Sequence, residues 1–225
     1  MPPPSGRAAA YTTARPDVAA LVPDGARSLL DLGCSTGAFA GAFRERGLRV
    51  VGIEADAAMA ADAAARLDAV HRADLTDPAW HEVLAGERFD VIVAADVLEH
   101  LPDPDAVLAA AVGHLSDRGC VIVSIPNIRH VSALVDIACR GRFPRRDRGI
   151  FDATHLRWFT WRDVLALHDR AGLAVGDWSV NLRIVDRPGA RSSAVAERVL
   201  GRWRRRGPIR EFLGYQFVVR STPRP

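Results

Sequence analysis

The chain has 225 residues, of which 25% are charged and 48% hydrophobic, and these values are typical of one α/β domain with a large core. Its formal net charge is +3 and all 30 basic residues are arginine, a balance too mild to indicate a nucleic-acid partner by itself. The three cysteines lack the paired spacing of a disulfide framework or a metal site, and neither an export signal nor an apolar run of about 18 residues is recognisable. We therefore expect a cytoplasmic protein with no membrane span and no metal site.

The N-terminal residues 1–10 are rich in proline, alanine and glycine, and we expect them to be disordered. The rest of the chain, 11–225, is expected to form a single domain. A short helix is predicted from Pro16 to Leu21, and a Pro-Asp-Gly turn then leads into the first strand.

The stretch from Ser28 to Phe43, SLLDLGCSTGAFAGAF, is predicted to form a strand, a tight glycine loop and a helix. Asp31 stands at the carboxyl end of the strand, where it is expected to face a ligand rather than the core, because open α/β sheets bind ligands at that edge. Gly33 and Gly37 allow close approach of the backbone to a ligand. Their spacing matches neither the dinucleotide pattern nor the phosphate loop, whose lysine this chain lacks.

The second and third predicted strands also end in acids. The second, Leu48 to Ile53, is followed by Glu54 and Ala55, roughly 20 positions after the first acid, where nucleotide-binding α/β units place a carboxylate for the ribose hydroxyls. Glu54 as a helix N-cap is the alternative. The third strand, Ala69 to Ala73, is predicted to follow a helix that runs from Ala57 to Asp68.

Strands and helices continue to alternate after this point. We predict helices over Pro78 to Leu84 and Asp103 to Leu115, and strands over Phe89 to Ala94 and Gly119 to Ile125. Five strands joined by short connections imply a parallel sheet with right-handed crossovers.

Two motifs carry a resemblance to a known family. The loop Asp31-x-Gly33-Cys34-Ser35-x-Gly37 and the stretch FDVIVAADVLEHL after residue 88 resemble the class I S-adenosylmethionine-dependent methyltransferases. Ser35 stands where the family has its middle glycine. The resemblance implies S-adenosylmethionine as cofactor and a doubly wound, Rossmann-like sheet of seven mostly parallel strands with an antiparallel last strand, the final two strands being expected at 175–185 and 212–221.

The resemblance also implies a set of cofactor-binding residues. Asp74 is expected to bond the adenine amino group while Leu75 lies against the ring, and Asp96, Val97, Leu98 and His100 are expected to line the crevice near the sulfonium, His100 in a positioning role. The full set is Tyr11, Arg15, Asp31, Gly33, Cys34, Ser35, Gly37, Glu54, Ala55, Asp74, Leu75, Asp96, Val97 and His100. Arg15 either pairs with the cofactor carboxylate or is an exposed arginine on a leader helix.

An insertion at about 127–160, between the fifth and sixth strands, is predicted to form a lid over the acceptor. Its Pro-Asn-x-Arg-His start and Asp-x-Thr-His-Leu-Arg-x-Phe-Thr end resemble bacterial methyltransferases of surface-polysaccharide and natural-product pathways, in which this region shapes the acceptor pocket. A helix is predicted from Val131 to Arg140. Lid arginines are expected to hold an anionic acceptor through bidentate pairs; they are Arg140, Arg142, Arg145, Arg146 and Arg148.

Three lid residues are catalytic candidates. His155 is the first candidate for a general base, because imidazole titrates near neutrality, and Asp152 is its candidate orienting partner. His130 is the reserve. In the alternative, His155 bonds the backbone and fixes the lid, since methyl transfer depends heavily on positioning and desolvation.

A second basic segment, about 187–210, is interpreted as a solvated face. It is expected to contain a helix over Ser192 to Arg206, whose Trp203 packs on the body or on a partner subunit, which leaves a homodimer open.

The leading hypothesis is O-methylation of a hydroxyl or carboxylate on a small-molecule or glycan acceptor. N- or C-methylation, an RNA methyltransferase and a non-catalytic scaffold are the alternatives. The absence of a recognised RNA-binding module argues against a nucleic-acid substrate.

Overall fold

The computed structural model describes residues 15–183 and 198–224, and it contains one seven-stranded sheet of order β3-β2-β1-β4-β5-β7-β6. Consecutive parallel pairs join β3, β2, β1, β4 and β5, while β7 is antiparallel to both β5 and β6. The strands are β1 Ser28–Leu32, β2 Arg49–Glu54, β3 Ala69–Arg72, β4 Phe89–Ala95, β5 Leu115–Pro126, β6 Leu173–Leu182 and β7 Gly214–Pro223. The expected mostly parallel sheet of seven strands with an antiparallel last strand is confirmed.

Helices connect the parallel strands. The α-helices are α1 Pro16–Ala19, α2 Ala38–Glu45, α3 Ala57–Ala64, α4 Pro104–Val112, α5 Val131–Leu134, α6 Trp161–Arg170 and α7 Gly207–Leu213. Short 3-10 segments occur at Trp80–Leu84, Leu98–His100 and Gly201–Trp203. Strand order reverses between β1 and β4, so a crevice opens there at the carboxyl ends of the strands.

Both faces of the sheet are buried. Alternate residues of β1 and β4 enter two separate apolar clusters: Leu30 and Ile92 belong to one, Leu29 and Val91 to the other. This double burial explains why the central strands read as continuous apolar runs rather than as an alternating pattern.

Several predicted element bounds were wrong. The helix expected over Pro78 to Leu84 is a 3-10 segment at Trp80–Leu84, and β5 begins at Leu115, where it pairs with β4 across a bulge. The helix expected over Val131 to Arg140 is the single α-turn α5 followed by a π-helical segment, Val135–Cys139.

The last strand begins later than predicted, because helix α7 occupies the residues before it. Phe212, predicted to begin that strand, lies in α7, which has a proline in its first turn. Gly214 joins helix to strand where no side chain fits, because an added Cβ would lie 2.2 Å from the carbonyl oxygen of Arg210. The expectations for residues 1–10 and Tyr11 fall outside the described residues, as does the first part, 192–197, of the helix expected at 192–206. The described remainder is helical at 198–200 and continues as the 3-10 segment Gly201–Trp203.

The lid is fastened at both ends. Asn127 and Phe159 form a parallel bridge, and the Nδ2 of Asn127 donates to the carbonyl oxygens of Glu211 (2.9 Å) and Gly214 (2.7 Å). The insertion is therefore fixed to β7 and α7 at the edge that carries the crevice. Within the described residues, no helix has the length and hydrophobicity needed to cross a bilayer.

Candidate active site

The loop after β1 has a backbone that only a few residue types tolerate. Gly33, Ser35 and Gly37 have φ values of 67°, 51° and 72°, all in the left-handed region. An added Cβ on Gly33 would lie 2.8 Å from Cγ2 of Val97, so this glycine is also required by close packing. Ser35 takes the left-handed conformation at the position where the family has glycine, and the loop forms with this substitution in place.

Glu54 holds this loop. Its carboxylate accepts hydrogen bonds from the backbone N–H of Ser35 (2.8 Å) and of Asp56 (2.9 Å). The N-cap of α3 is Asp56, whose side chain accepts hydrogen bonds from the backbone N–H groups of Ala58 and Met59. Asp56 therefore takes the N-cap role that was considered for Glu54. A carboxylate has about four acceptor positions, so Glu54 retains capacity for hydroxyl donors.

Asp31 is buried rather than exposed to the crevice. It is 4% exposed, and burial, followed by repulsion from Glu54, raises its pKa to about 8. The expectation that it faces the ligand directly is therefore wrong for this structure. Its charge would be stabilised by an approaching cation. Burial likewise raises the pKa of the Cys34 thiol, which is not a reactive thiolate.

Asp74, the acid after β3, is exposed, unlike Asp31 after β1. Its Oδ1 accepts from the N–H and the hydroxyl of Thr76, both at 2.8 Å. Leu75, next to it, is 9% exposed and belongs to the core. Ala55 is exposed beside Glu54. These residues lie beyond the ends of β2 and β3, as the motif order predicts.

Asp96 is the centre of a polar network at the ends of β4, β5 and β7. Its φ is 58°, and its carboxylate accepts hydrogen bonds from Arg15 and Gln216. Arg15 also donates to the Oγ of Ser124 (2.7 Å) and to Asp17 (2.9 Å). Arg15 is thus held within the chain and is not a free surface arginine.

Ser124 and Gln216 were missed by sequence reasoning, because they come from β5 and β7, far along the chain from residue 96. Tyr11, also expected to bind the cofactor, lies outside the described residues.

Glu99 was also missed, although it stands inside the quoted motif between Leu98 and His100. Its side chain is 1% exposed, and burial raises its pKa well above the usual range, with a further contribution from Asp96. Its Oε1 lies 3.9 Å from Nε2 of His155. The rings of His100 and His155 meet edge to face, with centroids 4.7 Å apart.

The contacts of His155 differ from those expected of a general base that Asp152 orients. Its Nδ1 donates to the carbonyl oxygen of Ile150 at 3.0 Å, and Asp152 accepts instead from the N–H (2.9 Å) and hydroxyl (2.6 Å) of Thr154. Asp152 therefore does not orient the imidazole here. Burial lowers the pKa of His155, so the ring is neutral at pH 7.

His130 has no nitrogen free for catalysis. It is fully buried, its Nε2 donates to the carbonyl oxygen of Arg183 at 2.8 Å, and its Nδ1 faces the hydroxyl of Ser132 at 2.8 Å. It caps the start of α5. The prediction of His130 as a reserve base is wrong for this reason.

Three of the five lid arginines converge on one acid. Asp136 is 2% exposed and binds Arg140 (2.9 Å), Arg142 (2.8 Å) and Arg146 (2.7 Å). Hydrogen bonding from Arg140, followed by that from Arg142, lowers the pKa of Asp136. These three arginines shape the lid as well as carrying its charge.

A model of the methyltransferase domain family matches residues 7–176, more than half of the chain. A ubiquinone biosynthesis O-methyltransferase of Rhodopseudomonas palustris strain TIE-1 is 32% identical over 100 residues, covering 44% of this chain and 40% of that relative. The corresponding protein of Idiomarina loihiensis is 34% identical over 116 residues, covering 49% and 47%. The chain thus matches less than half the length of these curated relatives.

Solved structures show the same fold. An S-adenosylmethionine-dependent methyltransferase of Thermotoga maritima has a TM-score of 0.63 at 19% identity, covering 96% of this chain and 89% of that one. The magnesium protoporphyrin IX methyltransferase of Synechocystis with bound SAH has a TM-score of 0.62 at 14% identity, covering 97% and 84%. With its family match, the chain belongs to the methyltransferase domain family, and its sheet has the fold of the S-adenosylmethionine-dependent methyltransferases among the solved structures.

Proposed function

We propose that the protein transfers a methyl group from S-adenosylmethionine to an oxygen of a small-molecule or glycan acceptor, a hydroxyl or a carboxylate. The observation that carries the proposal is the Glu54 carboxylate bound to the backbone of the glycine loop, at the crevice where β1 and β4 diverge. The O-methyltransferase relatives support oxygen as the accepting atom.

The cofactor is proposed to lie along the ends of β1 to β4. Glu54 would accept the ribose hydroxyls with its remaining lone pairs, and Asp74 and Leu75 would border the adenine. Asp96, fixed by Arg15 and Gln216, would face the cationic end of the cofactor. This placement gives Arg15 a positioning role in place of direct contact with the cofactor carboxylate.

Positioning and exclusion of water are proposed to supply most of the rate. A sulfonium is an intrinsically reactive methyl donor, so catalysis depends on alignment of the acceptor oxygen in a site that the lid closes. The bond from His155 to the backbone of Ile150 favours the second role considered for this residue, fixing the lid, over that of a general base.

The acceptor is proposed to be anionic and partly apolar. Three guanidinium groups around Asp136 leave an excess of positive charge on the lid, and the side chains of Arg140 and Arg142 are 57% and 56% exposed. Phe143 and Trp158 stack edge to face with centroids 5.0 Å apart and are both exposed. A carboxylated or phosphorylated sugar or aromatic acid has matching chemistry.

Calorimetry with S-adenosylmethionine and, separately, S-adenosylhomocysteine tests the cofactor site. We expect micromolar binding of both to the wild type, and a loss of at least about tenfold in Glu54→Ala, because hydrogen bonds to a charged group contribute roughly 1.5–3 kcal/mol each. Glu45→Ala, an exposed acid at the end of α2, is the matched control. Unchanged binding to Glu54→Ala would contradict the proposed placement.

Acceptor chemistry is tested by methyl transfer to matched panels of hydroxylated acids and amines. Turnover confined to amines would overturn the oxygen assignment. We also propose a cytoplasmic location, which cell fractionation tests. A homodimer through the surface around Trp203 is a further proposal, which light scattering tests.

A further inference from the structure

Three side chains that can ligate metal meet between the lid and the end of β4. Glu99 and His100 lie in the 3-10 segment after β4, and His155 lies in the lid. One ligand atom from each of the three lies within 4.8 Å of the other two. The sequence gives little sign of this cluster, because more than 50 residues separate its two parts.

The Glu99 carboxylate is the strongest sign of a cation site. It is 1% exposed, and among the described residues neither of its oxygens has a hydrogen-bond partner. Its backbone carbonyl, in contrast, accepts from Leu156 (2.8 Å) and Arg157 (3.0 Å), so the lid is fastened beside the unpartnered carboxylate. A buried carboxylate is costly unless it is protonated, paired or bound to a metal.

The two histidines are held as metal ligands usually are. His155 donates Nδ1–H to the carbonyl oxygen of Ile150, which leaves the Nε2 lone pair directed toward Glu99 at 3.9 Å. His100 has its Nδ1 3.1 Å from the hydroxyl and 3.3 Å from the carbonyl oxygen of Thr154. Metal-ligating histidines commonly use the second ring nitrogen in this way, which fixes the tautomer and the ring orientation.

We propose that Glu99, His100 and His155 bind one divalent transition-metal ion of the zinc class, and that this ion fastens the lid to the body of the enzyme. Two imidazoles and one carboxylate suit Zn²⁺, Co²⁺ or Ni²⁺ better than Mg²⁺ or Ca²⁺, which prefer oxygen ligands. Metal bonds of about 2.0–2.2 Å need ligand atoms about 3.0–3.6 Å apart, so the cluster closes by less than about 2 Å on loading.

Metal uptake is the direct test, and it needs neither methyl donor nor acceptor. The protein, carrying Cys139→Ser to remove its exposed thiol, is titrated with Zn²⁺ and with Co²⁺, dialysed, and analysed for metal content. We expect one equivalent per chain and, for Co²⁺, the absorption bands of a site with nitrogen and oxygen ligands. Glu99→Gln and His155→Asn are each expected to weaken binding at least about tenfold.

His81→Asn is the matched control, because His81 is a half-buried histidine that contacts Trp80 and His114 rather than the cluster. It is expected to bind metal as the wild type does. Glu99→Gln is expected to fold, since it removes an unpaired buried acid without changing shape, and S-adenosylhomocysteine binding verifies this.

The role in fastening the lid has its own readout. Zn²⁺ is expected to raise the melting temperature of the wild type and to slow trypsin cleavage at the lid arginines, with neither effect in Glu99→Gln. No stoichiometric uptake by the wild type, or equal uptake by Glu99→Gln, would overturn the site. Metal binding without slower cleavage of the lid would overturn the fastening role.

Discussion

The two sides of the crevice are built on different principles. On the cofactor side, Glu54 bonds the backbone of residues 19 and 2 positions away, Ser35 and Asp56. On the opposite side, where β4 ends beside β7 and the lid, the contacts are distant in sequence: Gln216 donates to Asp96 across 120 positions, and Thr154 contacts His100 across 54. A local arrangement can be inferred from residue spacing, whereas a long-range one depends on how the sheet and lid come together.

The largest expected effect concerns the pH dependence contributed by Asp31. Because its pKa is about 8 in the folded chain and about 3.9 in the unfolded chain, the folded state binds more protons, and stability falls as the pH rises between these values. Asp31→Asn removes this pH-dependent contribution to stability. The free energy of unfolding of the variant, relative to wild type, is expected to increase by up to roughly 1.4 kcal/mol per pH unit in that window.

Urea unfolding at pH 5, 6, 7 and 8 measures this difference, without added cofactor. Asp24→Asn, at an exposed turn, is the control and should leave the profile unchanged. Parallel profiles for wild type and Asp31→Asn would show that the carboxyl is not held in its neutral form.

Substitution of Gly52, which lies against Cys34 of the glycine loop, is expected to have the next largest effect on stability. An added Cβ on Gly52 would lie 2.5 Å from Sγ of Cys34 and 2.8 Å from Cδ1 of Leu67. Gly52→Ala is therefore expected to cost about 1–3 kcal/mol in stability and to weaken S-adenosylhomocysteine binding, because Cys34 is part of the loop. Gly25→Ala, where an added Cβ meets nothing within 4 Å, is the control, and equal melting temperatures for the two variants would contradict the prediction.

The smallest effect on global stability is expected from Asp136→Asn, a substitution in the lid. Asp136→Asn removes the charge that three arginines share, but those arginines are partly exposed and regain water. We expect faster trypsin cleavage within the lid, with a change in global stability of less than about 0.5 kcal/mol. Because its pKa is lowered, Asp136 stabilises the lid above about pH 4, and this contribution is lost as the pH falls through the lowered pKa.

Asp103→Asn, at the N-cap of α4 and away from the lid arginines, serves as the control for cleavage. A large fall in melting temperature for Asp136→Asn would show instead that the lid and the sheet unfold as one unit.

The same contrast explains what the sequence could predict. The glycine loop, Glu54 and the parallel pairing of the first five strands follow from apolar runs that alternate with helical patterns, the first three of which end in acids, and the structure contains these elements. Glu99 and His155 carry no such pattern, since their meeting depends on where the lid crosses β4. Asp152 was misassigned because its local bonds to Thr154, a frequent arrangement for aspartate in turns, compete with a histidine neighbour.

The position of β7 has a consequence for folding during synthesis. Residues 214–223 pair between β5 and β6, so within the described sheet β6, although made earlier, is hydrogen-bonded only to a later strand. As the chain leaves the ribosome, the five parallel strands can assemble in order, while β6 stays unpaired and β5 keeps one open edge until β7 is made. A stalled or prematurely released nascent chain would therefore expose that edge to aggregation and to chaperones.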